Sequence, residues 1–363
     1  FSQIYYATKV SSDKGLSHSV ILDILQDKKG FIWIATGNGL NRYDGYNFIV
    51  YRHSEKDSNT ISHDIVNSIA EDQKGYLWIA TQGGFDRFDP ASERFTHYAE
   101  KLTDLGAGTI VQKVFVDYSG DIWLSTYTGN VVNYDPETDT WEKYSLLEIL
   151  PSVRTFGAIS FFKEYPTGII WIGSSLAGLF RIDIKKKQIK NFLFDPKNYG
   201  DINSINGLYI LNPDTFITSG YYLYYFYPDK EKFETVSTFK QDNLLSMFPV
   251  RENEIWILRN RSKLIYSFNT ITKQLTIINL KFDEDDVSWH PNFNRLVKDR
   301  GEVIWLGTIK QGIYKIDMNR KQFHPVEIFR NGRKEKYSAA GIFEDSNSRL
   351  WMVTLDGKIF CKK

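Results

Sequence analysis

The chain has 363 residues, with 45 Lys and Arg against 44 Asp and Glu and a formal net charge of +1. That balance, with no long basic tract, argues against nucleic acid as a partner. Cys361 is the single cysteine, so no internal disulfide can form; no run of about 18 apolar residues and no signal peptide is present, and a soluble domain is expected.

Residues 1–10 read as a lone strand with its exit loop at 15–17, laid out like 48–51 followed by 60–62. The phrase ILQDKKGFIWIATGNGLNRYD occupies 24–44 and returns as IAEDQKGYLWIATQGGFDRFD at 69–89 and VFVDYSGDIWLSTYTGNVVNYD at 114–135. It recurs around Trp171, Trp256, Trp305 and Trp351. Trp33, Trp78, Trp123 and their later counterparts keep a period of about 45 to 50 residues, except that Trp171 and Trp256 stand about two periods apart. Phe216, in DTFITSGYYLYYFYPD, takes the tryptophan slot of the degenerate copy between them. Eight copies therefore fill the chain.

Four short apolar runs lie inside a copy, for example 66–70, 77–81, 84–89 and 95–98, separated by Gly, Asp, Asn or Pro. Such runs, rich in Ile, Val, Phe, Tyr and Trp, read as β-strands joined by hairpins. Four strands per repeat of this length make the blades of a β-propeller, and no long segment keeps the period of a helical array. Five copies place an Asp ahead of the Trp at one spacing, at Asp27, Asp72, Asp117, Asp299 and Asp345. The carboxylate is expected to accept backbone amides of a turn whose Gly takes a positive φ. The indole is expected to fill the wedge between neighbouring sheets, so both are scaffold rather than site residues. The last copy carries three strands, and pairing the N-terminal strand into it would close the ring without a free edge. The expected architecture is all-β: one propeller domain over 1–363, of eight four-stranded blades by motif count with seven as the alternative, closed by the N-terminal strand.

No catalytic signature is present: the sequence lacks a G-x-S-x-G elbow, an HExxH helix, a P-loop and paired Cys or His at zinc spacing. His18, His53, His63, His97, His290 and His324 form no close metal-ligand pairs, and the acidic run at 283–286 lacks the alternating oxygens and glycine of a calcium loop. The turn EDQKGYLW resembles the S-x-D-x-G-x-T-W turn of propeller sialidases, but its Asp stands one residue farther from the Trp and the serine is missing. The expectation is a domain with no catalytic residue, no metal and no cofactor.

Loops of a propeller alternate between two faces. The exit from each outer strand and the turn after each WIAT-type strand share one face, and the Asp turns occupy the other. The first face carries the longest connections, 52–64, 99–109, 145–157, 195–206, 279–290 and 329–337, where function on a scaffold concentrates. Trp289 is the tryptophan outside repeat register, because Trp141 fills an outer-strand aromatic slot (TWEKY against RFTHY). Beside His290, at the end of an acidic loop, Trp289 either stacks on a sugar ring or a partner protein, or plugs the channel as core. Tyr127, Arg154, Tyr221, Arg259, Lys310 and Arg333 project from the same set of loops as further candidates for contacts to an anionic or neutral saccharide. Each of them also reads as an ordinary surface residue.

Residues 15–62 and 65–98, with GFIWIATGNGLNRYD and GYLWIATQGGFDRFD at their centres, are similar to the two-component regulator propeller repeats in the periplasmic sensor region of Bacteroidetes hybrid two-component systems. The resemblance implies seven blades per propeller, against the eight counted. It implies a receptor with two propellers, an immunoglobulin-like domain, a membrane helix, and histidine kinase and response-regulator modules. In that setting the chain is a non-catalytic periplasmic sensor of an inner-membrane-anchored receptor that regulates polysaccharide utilisation. Its partners are an oligosaccharide, the second propeller and, in the full-length receptor, a second copy. The motif marks scaffold positions, so it transfers no binding residue. A carbohydrate-active propeller enzyme and a platform that binds protein alone are the other two readings.

Overall fold

Each copy folds into a small antiparallel sheet because its apolar residues come in short runs broken by tight turns. Blade 1 spans 21–51, blade 2 66–97, blade 3 111–145, blade 4 159–192, blade 5 205–235 and blade 6 244–277, each with its four strands in chain order from inside to outside. Blade 7 takes Phe293–Lys298, Val303–Thr308 and Ile313–Asp317 from the Trp305 copy. Its fourth strand is Ile4–Val10, antiparallel to Ile313–Asp317 with Ala7 opposite Ile316 and Val10 opposite Ile313. Asn279–Phe282 runs parallel to Ile4–Val10 and covers its other edge. The computed structural model describes residues 4–10, 15–150, 157–197, 200–236, 244–259, 262, 264–282, 292–318, 328–330, 333–335, 338–346 and 349–362.

The N-terminal strand closes the ring one copy earlier than expected, so the ring has seven blades and not eight. Ile4–Val10 already fills the outer edge of blade 7, and blade 7 packs directly on blade 1. Asn294 Nδ2 donates to Ile21 O at 2.7 Å, and the Arg300 amide donates to Gln26 Oε1 at 2.8 Å. The Trp351 copy belongs elsewhere: the chain divides into Phe1–Asn319 and Arg320–Lys363, where one domain through residue 363 was expected. The second unit holds a hairpin of Ile328–Arg330 with Arg333–Glu335 and a three-stranded sheet of Ala339–Glu344, Leu350–Thr354 and Ile359–Lys362.

Seven apolar clusters hold the ring, each shared by two successive blades. Trp33 packs with Leu77 and Phe88, Trp78 with Val114 and Ile122, Trp123 with Ile159 and Phe180, and Trp171 with Phe216 and Phe226. Ile217 packs with Ile255 and Phe268, Trp256 with Leu296 and Ile304, and Trp305 with Ile21 and Ile34 of blade 1, which completes the circle. Removing one buried indole from such a wedge costs about 3–5 kcal/mol. In blade 5 the tryptophan slot belongs to Ile217 rather than Phe216. Ile205 pairs with Gly220 as Ile21 pairs with Thr36, so Ile217 aligns with Trp33. Successive residues face opposite sides of a sheet, and Phe216 points back to blade 4, edge-on to Trp171 at 5.3 Å.

The motif acids hold two things at once. Trp33, Trp123, Trp305 and Trp351 donate their indole N–H to Asp27, Asp117, Asp299 and Asp345 at 2.8 Å, and Trp78 donates to Asp72 at 2.9 Å. The other carboxylate oxygen accepts turn amides, such as Phe31 N on Asp27 at 2.9 Å. On the inside, every innermost strand bulges at its second residue. Asn67, Asn206 and Asn294 use that extra residue to reach the next blade, donating to Val111 O at 2.7 Å, Leu244 O at 2.8 Å and Ile21 O at 2.7 Å.

Candidate functional site

The turns after the second strands and the connections between blades emerge on one face of the ring. Tyr127 is exposed there in blade 3, with its amide on Ile110 O at 2.9 Å. Tyr221 is half-buried in blade 5, edge-on to Tyr222 at 5.1 Å. Arg259 ends the second strand of blade 6 and is half-buried, and Lys310 is exposed in the blade 7 turn. The four share a face but stand on four different blades, so they ring the rim rather than form one cluster. Arg333 lies in the second unit, in the strand Arg333–Glu335. Arg154, Trp289 and His290 lie outside the described residues. Besides the short 3-10 turns Leu147–Ile149 and Asp201–Asn203 and the strand Arg333–Glu335, two connections expected as loops hold ordered elements that shape the ring. Ala99–Asp104 is a helix with Leu102 buried, and Asn279–Phe282 is the strand beside the N-terminal one.

On the same face Ser62, Asp86 and His97 meet, the composition of a hydrolytic triad that sequence spacing did not reveal. His97 Nδ1 lies 2.7 Å from Asp86 Oδ1 and 3.1 Å from Ser62 Oγ, while its Nε2 lies 2.9 Å from Ser58 O. The Ser62 hydroxyl itself donates to Asp86 Oδ1 at 2.5 Å. One nitrogen faces both partners and the other is held by a carbonyl, so no imidazole nitrogen is placed to take a serine proton. The cluster clasps the 52–64 connection instead. The hydrogen bond to the buried Asp86 carboxylate raises the His97 pKa above its ordinary value. Blade 1 makes the same clasp without charge, with the Ser17 amide on Asn41 Oδ1 at 2.9 Å and Asn41 Nδ2 on Ser17 Oγ at 2.8 Å.

The channel is crossed by charge. Asp23, Ser68, Lys113, Phe161, Gly207, Ser246 and Arg295 occupy one position of the seven inner strands. Asp23 of blade 1 accepts from Ser68 Oγ of blade 2 at 2.7 Å and lies 3.6 Å from Lys113 Nζ of blade 3 and 3.9 Å from Arg295 Nε of blade 7. Contacts that span four blades are possible only at the axis. Burial works against the Asp23 charge, but Lys113, Arg295 and the bonds from Ser68 and Ile69 outweigh it and hold the carboxyl below its usual pKa. Burial, aided by Arg295, pushes Lys113 down to about 8. The repeat register carries a signal for this site: a charge at a position where other copies have Ser, Gly or Phe.

Among the described residues, the opposite face, read from sequence as structural turns only, holds cavities at blade junctions. One of about 400 Å³ lies between blades 2 and 3, with Tyr76, Arg87, Tyr118, Asp121 and Glu137 in its lining. Another of about 420 Å³ lies between blades 5 and 6, against Tyr225, Tyr227, Glu234 and Lys273. Among the described residues no group of three or more His, Cys, Asp or Glu could hold a metal ion, and no helix is long and apolar enough to cross a membrane.

Fold and site together define a seven-bladed propeller with a side-chain-filled channel and two faces of different build. Residues 15–38 and 60–83 match the two component regulator propeller family, so the chain carries two-component regulator propeller repeats. A stretch is 48% identical over 46 residues to Histidine kinase P4 of Formosa agariphila, 13% of this chain and 3% of that protein. Among solved structures, the extracellular domain assigned to the hybrid two component system BT3049 of B. thetaiotaomicron superposes with a TM-score of 0.72 at 21% identity, over 99% of this chain and 53% of that one. The extracellular domain of BT4673 from the same organism gives 0.67 at 20%, over 97% and 44%. Virginiamycin B lyase from Staphylococcus aureus gives 0.62 at 14%, over 83% and 95%. The chain thus spans about half the length of the first two structures. At these identities the structural likeness shows the fold.

Proposed function

We propose that this ring is the ligand-sensing propeller in the periplasmic part of a hybrid two-component receptor, and that its ligand is an oligosaccharide whose presence regulates polysaccharide utilisation. The observation that carries the reading is the match of 15–38 and 60–83 to two-component regulator propeller repeats. The short stretch shared with a histidine kinase supports it. Sensing needs no nucleophile. A ligand that binds one receptor state better than another shifts the population between them by that difference. The loop face, with Tyr127, Tyr221, Arg259 and Lys310 around its rim, is the surface for ligand or for a second propeller of the same receptor, and Arg154, Trp289 and His290, outside the described residues, stay candidates from the sequence. A second receptor copy completes the partners.

Catalysis is the weaker reading, because the lyase likeness is one of fold at 14% identity and the Ser62, Asp86 and His97 cluster lacks a free base nitrogen. Calorimetric titration of the purified chain with dietary and host oligosaccharides, with product analysis on every binder, separates the readings. Binding without product is expected. Turnover would make the chain an enzyme, and binding of protein partners alone would leave a docking platform.

A further inference from the structure

Blades 1 and 2 carry the same arrangement beside their tryptophans. Arg42 stands opposite Trp33 in its sheet and Arg87 opposite Trp78. Each guanidinium lies over two rings, Arg42 over Phe31 at 5.1 Å and Trp33 at 5.9 Å, Arg87 over Tyr76 at 4.8 Å and Trp78 at 5.9 Å. Arg42 then meets an acid of the next blade, with Nη1 3.7 Å from Glu93 Oε1. The corresponding acid for Arg87 is Asp139, since Glu93 and Asp139 each precede the first residue of their outer strands and share a left-handed backbone. Asp139 is turned away, accepting from Trp141 Nε1 at 3.2 Å and lying 3.8 Å from Lys101 Nζ. Arg87 is left with no hydrogen bond or ion pair among the described residues, and it lines the cavity between blades 2 and 3.

Blade 3 breaks the pattern from the other side. Asn133 stands where the arginines stand, and Asp121 takes the turn position of Phe31 and Tyr76. Among the described residues the Asp121 carboxylate has one long contact, from Asn133 Nδ2 at 3.4 Å. The other charged groups in the lining are committed. Asp135 accepts from Glu137 N at 2.8 Å, Lys74 pairs with Glu137, and Asp72 holds Trp78. Tyr118 stands 67% exposed at the same cavity. The uncommitted chemistry is therefore one aromatic face, one fork of N–H donors and one carboxylate acceptor around about 400 Å³.

We propose that the cavity between blades 2 and 3, on the face opposite the long loops, is a saccharide subsite that seats one neutral sugar ring against Tyr118, with Arg87 donating to and Asp121 accepting from its hydroxyls. The proposal rests on the glycan reading and deepens it. A ring-stacking aromatic with a planar donor and a carboxylate is the set that a polyol's C–H face and hydroxyl edge require. Asp72, Asp121, Asp135 and Glu137 outnumber Lys74 and Arg87 in the lining, so a uronic acid is disfavoured relative to a neutral sugar. In agreement, burial, with Asp117, Asp135 and Glu164 close by, pushes the Asp121 carboxyl above its ordinary range.

The test uses the full chain and five neutral probes, cellotriose, laminaritriose, maltotriose, xylotriose and mannotriose, with galacturonic acid trimer as the charged comparison, each followed by NMR up to about 10 mM. At least one neutral probe is expected to bind more tightly than the charged one. Arg87→Ala and Tyr118→Ala are each expected to weaken it tenfold or more, while Arg42→Ala leaves it unchanged. Tyr118 is exposed, so its variant keeps the fold. If binding survives both variants but falls with Trp289→Ala, this subsite is wrong and the sensor reading stands with its site on the loop face. If no probe binds while another oligosaccharide of the dietary and host panel binds with an affinity that neither variant changes, the subsite fails and the sensor reading stands; if nothing in either panel binds, both fail.

Discussion

Asp117 shows how much one side chain of the repeat does. Its Oδ1 accepts the amides of Ser119, Gly120 and Asp121 at 3.0, 3.0 and 2.9 Å, and its Oδ2 takes the indole N–H of the fully buried Trp123 at 2.8 Å. Water can replace the carboxylate at the turn but not at the indole. Asp117→Ala is therefore expected to destabilise the ring by about 2–3 kcal/mol, one lost buried bond plus a loosened turn, seen as a lower urea midpoint. A midpoint unchanged within error would show that the acid is dispensable. His97 gives a pH dependence of definite sign. Its folded pKa is raised by Asp86, so the folded state holds the proton more tightly than the unfolded chain. The clasp contributes fully below the unfolded value of about 6.5 and fades as pH climbs through the higher folded value. An NMR titration of the ring should give a midpoint above that of a free imidazole, and the stability gap between the wild type and His97→Gln should narrow as pH passes it. A gap that widens contradicts the assignment.

At the level of strands, closure is the decisive feature. Thr8 stands directly opposite Lys315 in the ladder between Ile4–Val10 and Ile313–Asp317. Directly opposed antiparallel residues have Cα atoms within disulfide reach. With Cys361→Ser removing the native thiol, Thr8→Cys and Lys315→Cys together should form an intramolecular disulfide under mild oxidation, detected as a mass two hydrogens lighter. Free thiols in the folded, oxidised protein would place the N-terminal strand on another edge and reopen the count of blades. The strands themselves were legible in sequence, because runs such as LWIAT between Gly and Asp turns have one reading. The count was not, because a motif shows a blade but not which sheet edge remains free. The sequence points to Phe216 for the tryptophan slot that the register gives to Ile217, because adjacent residues of one apolar run face opposite blades. Asn279–Phe282 reads as a loop in sequence because its partner, Ile4–Val10, comes from the other end of the chain. The cavity beside Arg87 was invisible for a related reason: its walls come from two blades, and only the register shows that Asp139 left its place.

For the molecule as a whole, the ring and the second unit pose opposite surface problems. In the ring every blade has a neighbour on each side, and Ile69, Ala80 and Phe85 of blade 2 are almost wholly buried. The sheet of the second unit repeats that register, with Ile342 opposite Met352 as Ile69 is opposite Ile79, and Ile359 opposite Val353 as Phe85 is opposite Ala80. Yet Ile342 is 63% exposed, Phe343 66% and Ile359 65%. A repeat unit of this kind cannot bury its apolar faces alone, and faces left bare bind dyes or one another. The full chain should therefore enhance the fluorescence of a hydrophobic dye and self-associate with rising concentration. A protein ending at Asn319 should do neither, while keeping its unfolding transition, because a closed ring has no terminal blade to lose. Ile342→Lys with Ile359→Lys in the full chain should abolish dye binding as the truncation does. Dye binding that persists after the truncation would locate the exposed apolar surface on the ring itself and refute the division of labour between the two units.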